Sequence, residues 1–231
     1  MTDLTLADLP GRDTAATGGA GLLDLDRLAA VPTVRDPFDH LVAEGLLSAG
    51  DLAAIGRDFP PIRKPGLFPA HEVRGGPAFA RLIAEIEGRR LAAVMSEKFG
   101  LDLMGLPLMV TVRGHCAAKD GRVHTDSTSK VVTCLLYLNG ADWPADGGRL
   151  RLLRCGDGLD DPIAEVPPTG GTLVAFRRTD RSWHGHAPFE GPRRYVMFNW
   201  IASEAEAARE VARHTLSARL KKALSFDAGR S

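Results

Sequence analysis

The chain has 231 residues, 44% of them apolar and 25% charged, and its 29 Lys and Arg balance 29 Asp and Glu for a formal net charge of zero. That is the composition of a soluble globular protein long enough to bury a sizeable core, and it argues against a nucleic-acid binder that relies on bulk positive charge. No run of about 18 apolar residues marks a membrane span, and three cysteines without paired spacing (Cys116, Cys134 and Cys155) argue against a disulfide framework or a Cys-built zinc site.

Residues 1–21 read as a flexible segment, polar and acidic, with too little apolar content to pack. They lack the apolar stretch of a secretory signal, so a cytoplasmic location is the expectation. A single domain is expected over 22–231. A short strand is predicted over 36–43. Ser48-x-x-Asp51 has the form of a capping box opening a helix through Leu52 and Ile55, and Phe59-Pro-Pro-Ile62 then breaks regular structure. Phe79, Leu82, Ile83 and Ile86, continued by Leu91, Val94 and Met95, predict a helix over 77–99 with a phase slip near Gly88 and Gly100 as C-cap. From 106 to 202 the pattern changes to short strands, over 108–113, 130–138, 148–153, 163–166, 172–177 and 193–201, separated by Gly, Pro and Asp clusters. Such spacing predicts a sandwich or barrel. Ser203-x-x-Glu206 opens a last helix, acidic early and basic late at Arg219, Lys221 and Lys222, as the helix dipole favours.

Within the strand-rich part, His124-Thr-Asp126 puts an imidazole and a carboxylate two residues apart. On an extended segment both point the same way and can reach one metal ion. A lone H-x-D arises readily by chance, so its context carries the weight. Trp183-His-Gly-His186 offers further imidazoles at the mouth of another strand. Two His and one carboxylate, with other positions open, form the donor set of non-haem Fe(II) centres that use O₂. On the strand over 193–201, Arg194, Val196, Phe198 and Trp200 share a face. A guanidinium on an apolar face is costly unless an anion pairs with it. That anion is a protein carboxylate or a cosubstrate. Tyr137, in Leu135-Leu-Tyr-Leu-Asn139, can offer a hydroxyl to the same group.

These residues resemble the Fe(II)- and 2-oxoglutarate-dependent oxygenases, in their prolyl-hydroxylase-like branch. The likeness covers about 106–202 and includes Val132-Thr-Cys-Leu-Leu-Tyr-Leu-Asn139, Trp143 and Asp146-Gly-Gly-Arg-Leu-Arg151. It implies an α+β fold with a β-rich core: a double-stranded β-helix (jelly roll) with N-terminal helices and a C-terminal helix packed on it. It implies His124 and Asp126 as two iron ligands, Arg194 as the residue that binds the distal carboxylate of 2-oxoglutarate, and Tyr137 as a second contact to that cosubstrate. For the third ligand the resemblance favours His184 over His186. Arg194 follows His184 by ten positions and His186 by eight, where the family spacing is about nine or ten, and Pro188 follows His184 by four. His186 shares the strand face of His184 and lies near the metal or the substrate. Arg113 stands about where close relatives carry a further tyrosine, one residue out of register. Contact with cosubstrate, with substrate or with neither stays open.

The implied activity is hydroxylation of an unactivated C–H bond of a protein side chain or small metabolite, releasing succinate and CO₂. It requires Fe(II), 2-oxoglutarate and O₂, with ascorbate as an accessory reductant. The expected partner is a small-molecule or peptide substrate, with no nucleic acid and no membrane; the oligomeric state is unknown. Asp126 argues against halogenation, for which relatives of this fold carry a small residue there. Two other readings stay open: a cupin-like metal enzyme that does not use 2-oxoglutarate, and a non-catalytic jelly-roll sensor or binding protein.

Overall fold

A computed structural model describes residues 21–210 and 212. The rest of the N-terminal segment and the basic end predicted for the last helix, at Arg219, Lys221 and Lys222, lie outside the described residues. Helix α1 (Leu25–Ala30) opens at Asp24, whose carboxylate accepts from the Arg27 amide at 2.8 Å. Strand β1 (His40–Ala43) follows, and then α2 (Ala49–Asp58), where the Ser48 hydroxyl accepts from the Asp51 amide at 3.1 Å as the capping pattern predicts. After the short β2 (Phe68–Pro69), the helix predicted over 77–99 is two helices, α3 (Pro77–Ile86) and α4 (Arg89–Phe99). The phase slip marks a real break: Gly88 is extended and serves as N-cap of α4. Gly100 closes α4 in the left-handed conformation with φ 61°.

Seven strands follow: β3 (Leu108–Cys116), β4 (Lys130–Tyr137), β5 (Leu150–Leu153), β6 (Pro162–Val166), β7 (Leu173–Arg177), β8 (His184–Gly185) and β9 (Gly191–Ile201). They and the two early strands form two antiparallel sheets, one of six strands in the order β1-β7-β4-β9-β3-β2 and one of three in the order β6-β5-β8. The chain passes back and forth between the sheets, which makes the core a double-stranded β-helix.

The large sheet is buried on both faces. On one, Val132, Cys134 and Leu136 of β4 and Val196, Phe198 and Trp200 of β9 pack with Leu82, Ile86, Leu91, Met95 and Phe99 of the helices. On the other, Leu135 and Tyr137 of β4 and Tyr195 and Met197 of β9 face Leu150, Leu152 and Val166 of the small sheet. Two buried faces explain why β4 reads as a continuous apolar run instead of an alternating one. Each large side chain withdrawn from water contributes roughly 1.5–3 kcal/mol, so the helices are locked onto the sheet by several such terms. The small sheet has an open face: Arg151 and Glu165 pair across β5 and β6 at 2.6 Å, an exposed contact worth at most about 1 kcal/mol.

Residues 204–210 are helical, opened by Ser203, whose hydroxyl accepts from the Glu206 amide at 3.3 Å. Glu210 at its far end is buried and accepts from Ser127 at 3.2 Å and from Ser129 at 2.9 Å. This pins the loop between Asp126 and β4. No helix among the described residues is long and apolar enough to cross a membrane.

Candidate metal centre

The segment before β4 lies beside β8, joined by a reciprocal pair of backbone bonds between His124 and His184, each 3.0 Å. Residues paired this way project their side chains together, and the two imidazole centroids are 4.3 Å apart. Asp126, two residues on, turns its carboxylate to the same place, with Oδ1 4.0 Å from His124 Nε2. One donor atom from each of the three lies within 4.8 Å of the others. Small side-chain rotations bring such a set onto one ion.

Each candidate donor atom is prepared by its neighbours. His124 Nδ1 is 2.8 Å from the Arg122 carbonyl and His184 Nδ1 is 3.0 Å from the Ser182 carbonyl. A carbonyl only accepts, so each Nδ1 carries the proton and each Nε2 presents a lone pair. Asp126 Oδ2 accepts from Thr133 at 2.6 Å, and Oδ1 pairs with the buried Lys130 ammonium at 2.9 Å. Burial pulls the Asp126 pKa upward, but Lys130, His184 and the Thr133 hydroxyl outweigh it and hold the group at about 2. His184 is driven the other way, chiefly by burial, to about 4. At neutral pH the centre therefore offers the Asp126 carboxylate and a neutral His184 imidazole. Two imidazole nitrogens, one carboxylate oxygen and an open side fit a non-haem ferrous ion.

The cavity between the sheets continues from the triad past Lys130, Thr133 and Leu135 to Arg113, His186, Arg193, Tyr195 and Met197. Arg193 is 1% exposed. Its Nε donates to the Gly148 carbonyl at 2.8 Å and its Nη2 to the Tyr137 hydroxyl at 3.1 Å. The Tyr137 and Tyr195 rings lie 5.2 Å and 5.1 Å from its guanidinium carbon. Among the described residues no carboxylate pairs with it.

The structure brings together His124, Asp126, His184, His186, Arg113 and, through Arg193, Tyr137. Arg194 is left out, which corrects the expectation that its face is the pocket face. Arg194 points to the helical side, donating to the Gly56 carbonyl at 3.4 Å and lying over the Phe59 ring at 5.2 Å. The face it shares with Val196, Phe198 and Trp200 is the one covered by helices. Arg193, missed in the sequence, is nine positions beyond His184 and so fits the family spacing as well as its neighbour does. The signal that separates them is register: Tyr137 pairs with Tyr195, so a tyrosine facing the pocket requires the odd-numbered side of β9.

Residues 112–202 match the profile described as the 2OG-Fe(II) oxygenase superfamily. That segment belongs to the 2OG-Fe(II) oxygenase superfamily. The matched segment carries all three candidate metal donors, His124, Asp126 and His184. The chain is similar in fold to a Pseudomonas putida prolyl-4-hydroxylase, at 22% identity over 77% of this chain and 90% of that one, with a TM-score of 0.51. It is also similar to a prolyl 4-hydroxylase from Phytophthora capsici, at 19% identity over 71% of this chain and 59% of that one, with a TM-score of 0.51. No curated protein matches the chain.

Gly185 shows how closely the segments bearing His124 and His184 approach. A Cβ there falls 2.8 Å from the Gly121 carbonyl oxygen and 3.2 Å from Val123 Cα, both backbone atoms that cannot swing aside. Gly185→Ala is expected to push the His124 segment off β8 and weaken Fe(II) binding by at least about tenfold with all three donors intact, since misplacement by an ångström is costly at such a site. A metal titration followed calorimetrically checks it.

Acid lability follows from the buried imidazoles. His186, like His184, is lowered to about 4, mainly by burial and then by the charge of Arg193. An unfolded chain protonates these rings from about pH 6.5 downward, whereas the folded protein resists to about pH 4. The stability they permit is therefore complete above about pH 6.5 and is lost progressively as pH falls toward 4. The Tm of metal-free protein is expected to decline across that window, and His186→Phe to make the decline shallower.

Proposed function

We propose that this oxygenase hydroxylates an unactivated C–H bond of a small molecule or peptide, with His124, Asp126 and His184 holding Fe(II) and with Arg193 and Tyr137 holding the distal carboxylate of 2-oxoglutarate. The observation that carries the reading is Arg193, a fully buried guanidinium without a carboxylate partner, facing the cavity of the triad. A buried cation left alone is expensive, and a bidentate carboxylate is its natural complement.

Bound there, Fe(II) with 2-oxoglutarate and O₂ supplies the oxidising chemistry, in which the cosubstrate becomes succinate and CO₂ and one oxygen atom enters a C–H bond. The side chains do the rest. Tyr137 stays protonated, its pKa raised to about 12 chiefly by burial, so its hydroxyl can donate to a carboxylate. Arg193 adds the charge and is held in place by Gly148. Thr133 fixes Oδ2 of Asp126, while Oδ1, which Lys130 also holds, is turned toward His124. Leu135, Leu150 and Met197 wall the cavity and keep water from the reacting centre. Asp126 fills the place that halogenation needs for a halide, which favours hydroxylation.

The test is turnover of purified protein with Fe(II), 2-oxoglutarate and ascorbate. Iron-dependent succinate release supports the reading. Tight 2-oxoglutarate binding without succinate release under any substrate points to the sensor, and metal binding without 2-oxoglutarate binding points to the cupin-like enzyme.

A further inference from the structure

Two arginines enter the cavity between the sheets, and the cosubstrate accounts for one. Arg113 on β3 is paired in register with Tyr195 on β9, and its guanidinium carbon lies 5.9 Å from that ring's centroid. The Tyr195 ring is thus flanked by Arg193 and Arg113. The Arg113 side chain is only 11% exposed. Its Nη1 pairs with Asp120 and reaches Cys116 Sγ at 3.5 Å, while its Nε has no hydrogen-bond partner. Asp120 meets Arg113 through the same oxygen that accepts from the Ala117 amide at 3.0 Å. That second bond ties the carboxylate to its own loop. Beside the pair, His186 Nδ1 is engaged with the Ala187 carbonyl at 2.9 Å, which leaves Nε2 as an acceptor.

The charges of the lining residues do not balance. Of the lining side chains, Arg113, Lys130 and Arg193 are cations, and Asp120 and Asp126 are the only carboxylates among the described residues. A ferrous ion and a dicarboxylate cancel each other, so the loaded cavity keeps one net positive charge where charge is poorly solvated. Arg193 is taken by the distal carboxylate, and Lys130 stands against Asp126. The unsatisfied donor is on Arg113.

We propose that the primary substrate is a small organic acid whose carboxylate docks on Arg113, with Asp120 holding the guanidinium in position. The assignment rests on the 2-oxoglutarate reading of the same cavity and adds the substrate class to it. A neutral substrate leaves the surplus charge in place; a monoanion removes it and supplies the acceptor that Arg113 lacks.

The experiment compares acids with their neutral isosteres. A panel of N-acetyl amino acids, each against its primary amide, is titrated into the oxygen-free Fe(II)–2-oxoglutarate complex by calorimetry. Acids are expected to bind at least about tenfold more tightly than their amides, and the ratio to fall below about twofold in Arg113→Gln, the range of a charge-assisted hydrogen bond. The 2-oxoglutarate affinity of that variant is read in parallel from the visible absorption of its iron complex and is expected to stay within about threefold of the parent. Absence of any acid preference in the parent protein, including absence of binding by both members of every pair, overturns the proposal. So does a loss of about tenfold or more in 2-oxoglutarate affinity in Arg113→Gln, which assigns the contact to the cosubstrate. The parent comparison does not depend on the variant folding. A parent protein that forms no iron–2-oxoglutarate complex rejects the underlying reading, and that result is visible before any acid is added.

Discussion

Replacing Arg193 by alanine is expected to weaken 2-oxoglutarate binding by about a hundredfold or more while leaving Fe(II) affinity nearly unchanged. The magnitude follows from the site: a cation at 1% exposure, fixed by Gly148 and Tyr137, meets its anion away from water, and truncating one partner of such a buried pair costs about 2–5 kcal/mol. Arg194→Ala is the matched control. Its guanidinium lies over Phe59 on the helical side, so cosubstrate affinity should change by less than about threefold. Arg193→Lys should fall between, because an ammonium keeps the charge and loses the fork. Oxygen-free titration of 2-oxoglutarate into metal-loaded protein measures all three. Equal losses in the two alanine variants, or a larger one at Arg194, would remove the basis for assigning the pocket to the odd face of β9.

Asp126→Ala is expected to abolish turnover and lower metal affinity by at least about a hundredfold, and also to destabilise the fold. The second effect is specific to this chain. Lys130 is 8% exposed, and its ammonium pairs with Asp126 at 2.9 Å. Removing the carboxylate strands a buried charge, at a cost of about 3–5 kcal/mol. The double variant with Lys130→Met should therefore recover most of the lost stability, because an apolar residue of similar length fills the space, yet recover none of the metal affinity. Denaturant unfolding and metal titration on the three proteins separate the two roles of Asp126. If the double variant is no more stable than Asp126→Ala, the Lys130 charge is not the source of the loss.

Much of this architecture was legible in the chain. The short strands between turn clusters, the capping pattern at Ser48 and the left-handed cap at Gly100 are local signals, written in residues a few positions apart. The approach of His124, Asp126 and His184 was legible because H-x-D and a distal imidazole flank strands at recognisable separations. Helix α1 went unnoticed: at six residues it is too short to show a period. The break at Gly88 showed only as a change of phase, since a periodic pattern does not distinguish a slipped helix from two.

The choice between Arg193 and Arg194 was of another kind. Both precede the same apolar stretch of β9, and a strand buried on two faces has lost the alternation that tells inside from outside. The amino-acid order thus established the fold class, the metal-binding residue types and the presence of a basic group at the right distance along the chain. Which guanidinium enters the cavity depends on how β9 registers against β4 and on which face the helices cover. Those are contacts between residues some 60 positions apart (Tyr137 with Tyr195, Cys134 with Phe198), and no local preference encodes them.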